Sequence, residues 1–260
     1  EVAEINAAND KALADLIRAE QDIKLQMNEL RFYTGESLSV VKKLNNNKNN
    51  FEQFDQIDLS NWEEEAVSKN FQLKSKRETI AAAKTALASE KLTRYPTLDL
   101  NIQMARGSSE STFFVNSETK TNSLGLTFFL PLYQGGGVSS RIRQSASLLD
   151  AQIEGLRFEE ENLRKQVQRS YYGMKENMKL SDALKSAVQS AMIELEANKK
   201  SALAGVRKQL DILVSQQKLL RVEGELIDAK LNILLYWLSL NFLTSEFDTN
   251  TIKRANKFLQ

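Results

Sequence analysis

The chain has 260 residues, 35 basic and 34 acidic side chains for a net charge of +1, and neither histidine nor cysteine. Balanced charge excludes a nucleic-acid binder that relies on bulk positive potential; the missing cysteine excludes disulfides and thiol chemistry, and the missing histidine removes the commonest general base and transition-metal ligand. Ten glycines and two prolines are too few for a loop-rich globule.

Residue 1 is not Met, no signal peptide is visible, and the chain opens inside a helical pattern, so a processed or partial protein is expected. Residues 1–36 repeat residues 211–246. Setting Glu1 against Asp211 without gaps pairs Leu16 with Leu226, Ile17 with Ile227, Ala19 with Ala229 and Ile23 with Ile233. The series continues through Leu25 and Leu235, Leu30 and Leu240, Phe32 and Phe242, Thr34 and Thr244, and Glu36 and Glu246. A shared heptad does not produce so many identities without a gap, and internal duplication explains them. The expectation that follows is a first helix arm, with its own strands, upstream of Glu1.

Residues 44–50, Leu-Asn-Asn-Asn-Lys-Asn-Asn, read as a polar, low-complexity connection. Ser60 has the chemistry of an N-cap and Glu63 stands at the capping-box position, predicting a short helix from Ser60. A second helix is expected from about Lys74 to Thr93, ending before Pro96.

Two stretches of strict alternation follow. In Pro96–Met104, Leu98, Leu100, Ile102 and Met104 lie on one side, and Thr97, Asp99, Asn101 and Gln103 on the other. In Ser123–Tyr133, Leu124, Leu126, Phe128, Leu130 and Leu132 share one side. This is the pattern of strands with one apolar and one polar face, at about the ten-residue length of a tilted membrane-barrel strand. The Ser-, Thr- and Asn-rich residues between them predict an exposed loop over 106–120. Gln134-Gly-Gly-Gly137 then breaks the second strand.

Residues 138–204 contain no proline and only Gly155 and Gly173. Ile142, Ala146, Leu149, Ile153, Leu156, Leu163 and Val167 form a coiled-coil seam interrupted by Glu160. A helix this long reaches roughly 100 Å at about 1.5 Å per residue. Gly205 stands where a left-handed C′ glycine ends a helix. The seam resumes at Leu210, Leu213, Leu220, Ile227, Leu231, Leu234 and Leu238, with Gln217 and Gly224 departing from it. Residues 138–246 therefore predict an antiparallel helical hairpin with a tight tip at 205–209. No stretch reaches the roughly 18 apolar residues of a spanning helix; the nearest, Ile233–Leu243, continues the heptad, so any membrane crossing falls to the strands.

Tyr95-Pro-Thr-Leu-Asp-Leu100, Gly125-Leu-Thr-Phe-Phe-Leu-Pro-Leu-Tyr-Gln-Gly-Gly-Gly137 and Ala204-Gly-Val-Arg-Lys-Gln-Leu-Asp-Ile-Leu213, with the internal duplication, resemble the TolC family of outer-membrane efflux proteins over residues 1–248. The resemblance implies a mixed, mainly α fold: long antiparallel coiled-coil helices of an α-barrel joined to strands of a shared transmembrane β-barrel in a homotrimeric channel-tunnel. The implied divisions are a helical tunnel arm and equatorial segment over 1–94, an outer-membrane β-hairpin over 95–134, a periplasmic helical hairpin over 135–246 with its tip at 204–209, and an equatorial C-terminal segment over 247–260.

By the same resemblance, Thr97, Asp99, Asn101 and Gln103 face the barrel lumen, and Pro131 with Gly135, Gly136 and Gly137 marks the passage from barrel to helix. Arg207 and Asp211 match a gating arginine and the first of two constriction-ring aspartates, and Glu1 corresponds to an acidic gate residue of the other repeat. Three copies of Asp211 make a ring that attracts cations. The sequence departs from the family at Val214, where a second ring aspartate is expected, and at Ala202, where a tyrosine partner of the gate is expected. Ala204, Gly205, Val206, Arg207 and Lys208 form the tip that would meet a periplasmic adaptor (membrane fusion) protein.

The implied function is a passive outer-membrane exit duct of a Gram-negative bacterium with a periplasmic extension. It would work with an inner-membrane pump of ABC or RND type, in efflux or type I secretion, with outer-membrane lipid around it. No enzyme activity, metal, cofactor or nucleic-acid partner is implied. A coiled-coil scaffold without channel activity is the alternative reading, and it leaves the strands and the triple glycine unexplained.

Overall fold

The computed structural model describes residues 2–36, 44, 51–54, 58–109 and 117–258. The elements are α1 (Val2–Thr34), α2 (Leu59–Lys69), α3 (Phe71–Leu92), β1 (Thr97–Ser109), β2 (Ser117–Phe129), α4 (Gly137–Leu203), α5 (Gln209–Leu243) and α6 (Thr249–Asn256), with a 3-10 turn at Phe51–Phe54. The chain forms two compact units, one of Glu1–Asn70 with Leu163–Gln260 and one of Phe71–Asn162.

In the first unit α4 buries Leu163, Val167, Ser170, Met174, Asn177 and Ser181, a 4-3-4-3-4 spacing that keeps one stripe inward. Ser170 and Ser239 hydroxyls meet at 3.1 Å, and Lys218 Nζ donates to Glu194 Oε2 at 2.6 Å. Pairs nested in this way about the turn after Leu203 establish an antiparallel hairpin. A Cβ on Gly173 would lie 2.6 Å from Tyr236 Cζ, so this mid-helix glycine lets a tyrosine ring lie against the α4 backbone.

The buried face of α5 differs in part from the predicted seam, which shares Leu234 with it. Ser215, Ala229, Ile233, Trp237 and Leu240 are buried, whereas Leu220, Ile227 and Leu231 are exposed. α5 carries two apolar stripes, and one is the more buried; Leu213 and Leu220, of the other, line a cleft of about 370 Å³ shared with Ile5, Asn9 and Ala12 of α1. By length and composition α5 also passes as a possible membrane span, although its sequence holds no unbroken apolar run of that length. Its most apolar part is the part that buries Ile233, Leu234 and Trp237 within this unit, together with Lys230 and Asn241.

Aromatic stacking joins the remaining pieces. Phe54 stacks on Trp237 at 4.5 Å and Phe51 on Phe258 at 5.1 Å, while the Arg254 guanidinium lies 5.2 Å from the Trp237 ring centroid. α2 begins earlier than its sequence suggested: Asp58, extended at φ −71° and ψ 155°, is the N-cap, and Ser60 lies inside the helix. The Glu63 carboxylate instead accepts from Gln168 Nε2 at 2.8 Å and pairs with Arg164 at 3.5 Å, while Trp62 and Ala66 fill the inner face.

In the second unit, α3 buries Leu73 and Ile80. Glu160, which interrupts the predicted α4 seam, pairs with Arg77 at 3.2 Å, and Glu90 pairs with Arg141 at 3.5 Å. The same stretch of α4 turns Gln152 inward and leaves Ile153 exposed, because the half-buried stripe steps 149–152–156 where a strict seam would pass through 153.

β1 and β2 form a two-stranded antiparallel sheet running from Thr97↔Phe129 to Ser109↔Ser117. The predicted loop over 106–120 is therefore shorter: residues 106–109 and 117–120 continue the ladder, and residues 110–116 lie outside the described residues. At the other end β2 stops at Phe129, so Leu130 and Leu132 are not strand residues. Pro131 has no amide to give a ladder, and Pro96 ends the facing strand at the matching place. The polar connection over 44–50 lies outside the described residues except for Leu44.

Candidate functional site

Three places bear on function: the strand pair, the passage from strand to helix, and the tip between α4 and α5. On the strand pair, directly opposed residues share a face. Leu98↔Phe128, Leu100↔Leu126 and Ile102↔Leu124 build one face, and Asp99↔Thr127, Asn101↔Gly125 and Gln103↔Ser123 build the other. Thr97, Asp99, Asn101 and Gln103 thus lie together as expected, joined by Thr121, Ser123 and Thr127 from the facing strand. Only the register brings those three onto the same side, and alternation along a single strand does not declare it. Both faces are open: Leu100 is 62% and Leu126 68% exposed, and Asp99 and Asn101 are exposed opposite them. An isolated two-stranded sheet with a bare apolar face is not self-sufficient in water.

At the passage into α4, Gly135 and Gly136 adopt φ of +56° and +80°, a left-handed pair that side-chain-bearing residues resist. The Gly137 amide donates to Gln134 O at 2.9 Å and Ser140 N to Gly136 O at 3.0 Å, so the triple glycine forms the turn that starts the helix. Pro131, Leu132, Tyr133 and Gln134 line a cleft of about 330 Å³ together with Thr93 and Arg94. Arg94 donates to Ser139 Oγ at 3.3 Å, and Tyr95 and Tyr133 are exposed beside it.

The tip is a Schellman motif. Gly205 has φ +75°, its amide donates to Ala202 O at 3.0 Å, and Val206 N donates to Ser201 O at 2.9 Å. α5 begins after Lys208, an N-cap whose ammonium has no acceptor to offer. Asp211 makes the return half of a capping box, accepting from the Lys208 amide at 3.3 Å through Oδ2. The same oxygen lies 3.7 Å from Arg207 Nη1, with both side chains partly exposed. Ser215, buried one turn on, donates to Asp211 O at 2.7 Å.

Arg207 and Asp211, named by the family resemblance, lie at one place, and the structure adds the reason the carboxylate is held: it serves the helix end and the cation together. Ala204, Gly205, Val206 and Lys208 are exposed around them. Val214, at the second ring position, is exposed, and Ala202 gives its carbonyl to the turn. Glu1 lies outside the described residues. Among the described residues no group of His, Cys, Asp and Glu is arranged to hold a metal.

Residues 62–246 match the family model described as outer membrane efflux protein. The proteases secretion protein PrtF of Dickeya chrysanthemi is 28% identical over 202 residues, covering 78% of this chain and 44% of that protein. The outer membrane protein TolC of Escherichia coli strain K12 is 26% identical over 270 aligned positions, covering 100% of this chain and 54% of that protein. The chain spans about half the length of the curated relatives it matches. Among solved structures, the outer membrane protein VceC from Vibrio cholerae superposes with a TM-score of 0.73 at 15% identity, covering 94% of this chain and 57% of that one. The CmeC outer membrane channel of Campylobacter jejuni gives 0.61 at 22% identity, covering 86% and 48%. These two likenesses concern the fold alone.

Proposed function

The chain belongs to the outer membrane efflux protein family, and from that premise we propose that it is part of a passive exit duct in the outer membrane of a Gram-negative bacterium, with its helices in the periplasm. One observation carries the proposal: a strand pair that is apolar on one face, polar on the other and open on both. Such a pair needs further strands at its edges and lipid against Leu98, Leu100, Ile102, Leu124, Leu126 and Phe128. A barrel shared among three copies supplies both, and leaves Thr97, Asp99, Asn101 and Gln103 facing water.

The duct makes and breaks no bond. A periplasmic adaptor would bind at Ala204–Lys208, and an inner-membrane pump of ABC or RND type would deliver cargo to an entrance ringed by Asp211. Relatives named for protease secretion, PrtF among them, favour type I secretion as its setting. Arg207 and Asp211 form the gate in this reading, with Glu1 as its counterpart in the other repeat. Val214 and Ala202 remove two of the family's locking groups, so this gate rests on fewer contacts.

The test is the full-length protein in detergent and in planar bilayers. A detergent-dependent trimer that conducts ions supports the duct. A detergent-independent dimer that is electrically silent refutes it and favours the scaffold.

A further inference from the structure

The strand register places Arg106 directly opposite Lys120, and the proposed duct gives this pair a role. We propose that Arg106 and Lys120 form a binding site for a phosphate-bearing lipid headgroup at the outer edge of the membrane-facing sheet. The inference rests on the duct reading, because that reading turns the apolar face to lipid.

Both residues have the parity of that face. It runs Leu98↔Phe128, Leu100↔Leu126, Ile102↔Leu124 and Met104↔Asn122, and the next rung on the same side is Arg106↔Lys120. The apolar band therefore ends in one mixed rung and then in two cations. Arg106 is eight residues from Leu98, about 26 Å along a strand. Tilted about 40°, that length projects to roughly 20 Å, so the cations stand near the outer border of an apolar band about 25 Å tall. They stand at the end of the ladder remote from α3 and α4, hence at the outer leaflet when the helices are periplasmic.

Like charges directly opposite on a sheet repel, and a hairpin gains nothing by keeping them there unless an anion lies between. Glu118, on the following rung, reaches only one of the two: its carboxylate is 3.7 Å from Lys120 Nζ, with both side chains well exposed. Among the described residues no carboxylate is paired with Arg106. A guanidinium and an ammonium across one rung offer a fork and a point charge to phosphate oxygens, the combination that suits a monoester or diester headgroup. Their aliphatic stems continue the apolar face below, so the headgroup and its acyl chains are met by one continuous surface.

The experiment places the full-length protein in nanodiscs of phosphatidylcholine with a minor fraction of phosphatidylglycerol or lipid A, and measures the lipids retained by native mass spectrometry. Single-channel conductance is recorded in parallel. Wild type is expected to enrich the anionic lipid, and Arg106→Gln with Lys120→Gln to lose that enrichment on the order of tenfold while still conducting. Arg106→Lys with Lys120→Arg keeps the charges and should keep the enrichment. Inorganic phosphate added at the same concentration should not compete, because it lacks the acyl chains. Unchanged enrichment in a conducting Gln/Gln variant overturns the headgroup site and leaves the duct standing. Failure of wild type to insert and conduct overturns the duct, and the headgroup site with it.

Discussion

Replacing Gly173 by alanine is expected to destabilise the helical hairpin, although alanine is the better helix former. In a helix interior the change from glycine gains roughly 1 kcal/mol. Against this, the new Cβ would lie 2.6 Å from Tyr236 Cζ and 2.8 Å from each of the two flanking ring carbons. That is about 1 Å inside ordinary carbon contact. The half-buried ring has to swing away from α4, and such overpacking costs about 1–3 kcal/mol. The net expectation is a loss of about 0–2 kcal/mol. Gly224, also inside a helix, has no atom within 4 Å of its would-be Cβ, so Gly224→Ala should gain about 1 kcal/mol. Comparing the two variants cancels the helix term and isolates the ring contact. Thermal and denaturant unfolding of the full-length protein in detergent gives the values. In a Tyr236→Ala background the penalty at Gly173 should vanish, a coupling that a double-mutant cycle reads directly. The reasoning is refuted if Gly173→Ala stabilises as much as Gly224→Ala, or if the coupling is near zero.

Four further outcomes are expected. Asp211→Ala should weaken block by multivalent cations and loosen the start of α5, whereas Asp211→Asn should weaken block and keep the cap; equal block in all three proteins, recorded in planar bilayers, places the ring elsewhere. Gly205→Ala forces a side chain into φ +75° and should cost about 1 kcal/mol in unfolding experiments. Lys230, buried in α5, has its pKa lowered chiefly by burial and then by the charge of Lys185. The unfolded chain holds that proton up to the ordinary 10.5 while the folded chain releases it earlier, so stability rises with pH through that window. Lys230→Met should be flatter there, and parallel thermal profiles would contradict the assignment. Ile23→Ala should destabilise the full-length protein about as much as Ile233→Ala, by about 2–4 kcal/mol, a comparison that thermal unfolding makes directly.

The parts of the fold written in side-chain period were legible in the sequence. Alternation from Leu98 to Met104 and from Leu124 to Phe128 identified two strands because one face of each is apolar throughout. It failed beyond Met104, where Arg106, Ser108, Glu118 and Lys120 carry no hydrophobic signal while backbone pairing continues. The opposed cations were invisible for the same reason: opposition is a property of register, and the intervening residues do not declare it. α5 misled by having two apolar stripes. Leu220, Ile227 and Leu231 gave the cleaner heptad, yet Ile233, Trp237 and Leu240 are the buried residues, Trp237 stacking on Phe54, while Tyr236 and Ser239 meet α4 at Gly173 and Ser170. At the start of α2 the capping chemistry of Ser60 misled, because Asp58 is the N-cap and Ser60 lies inside the helix. At the tip the glycine announced the turn, whereas the carboxylate's hold on the Lys208 amide required coordinates.

The duplication joins these observations. α1 and α5 end alike: Thr34 Oγ1 donates to Leu30 O at 2.9 Å and Thr244 Oγ1 to Leu240 O at 3.2 Å, and the next residues, Gly35 and Ser245, both turn left-handed at φ +73° and +58°. Two arms that share their apolar residues at these steps and end alike should bury the same face. They do not within this chain: Ile233 and Leu240 are fully buried, while their counterparts Ile23 and Leu30 are 60% and 41% exposed. Apolar residues that are equivalent by descent but differ so widely in burial require a second covering element. If the duplication holds, that element would be a helix related to α1 as α4 is to α5. At Gln26, the position that matches Tyr236, such a helix would meet an unbranched side chain in place of a ring and would need no glycine to match Gly173. A loop, a lipid face or bare solvent would not call for the same isoleucine and leucine at the same steps as a packed hairpin. If Ile23→Ala proves neutral in the assembled protein while Ile233→Ala is costly, the two arms are equivalent in sequence only, and the trimeric tunnel built from paired hairpins loses its physical support.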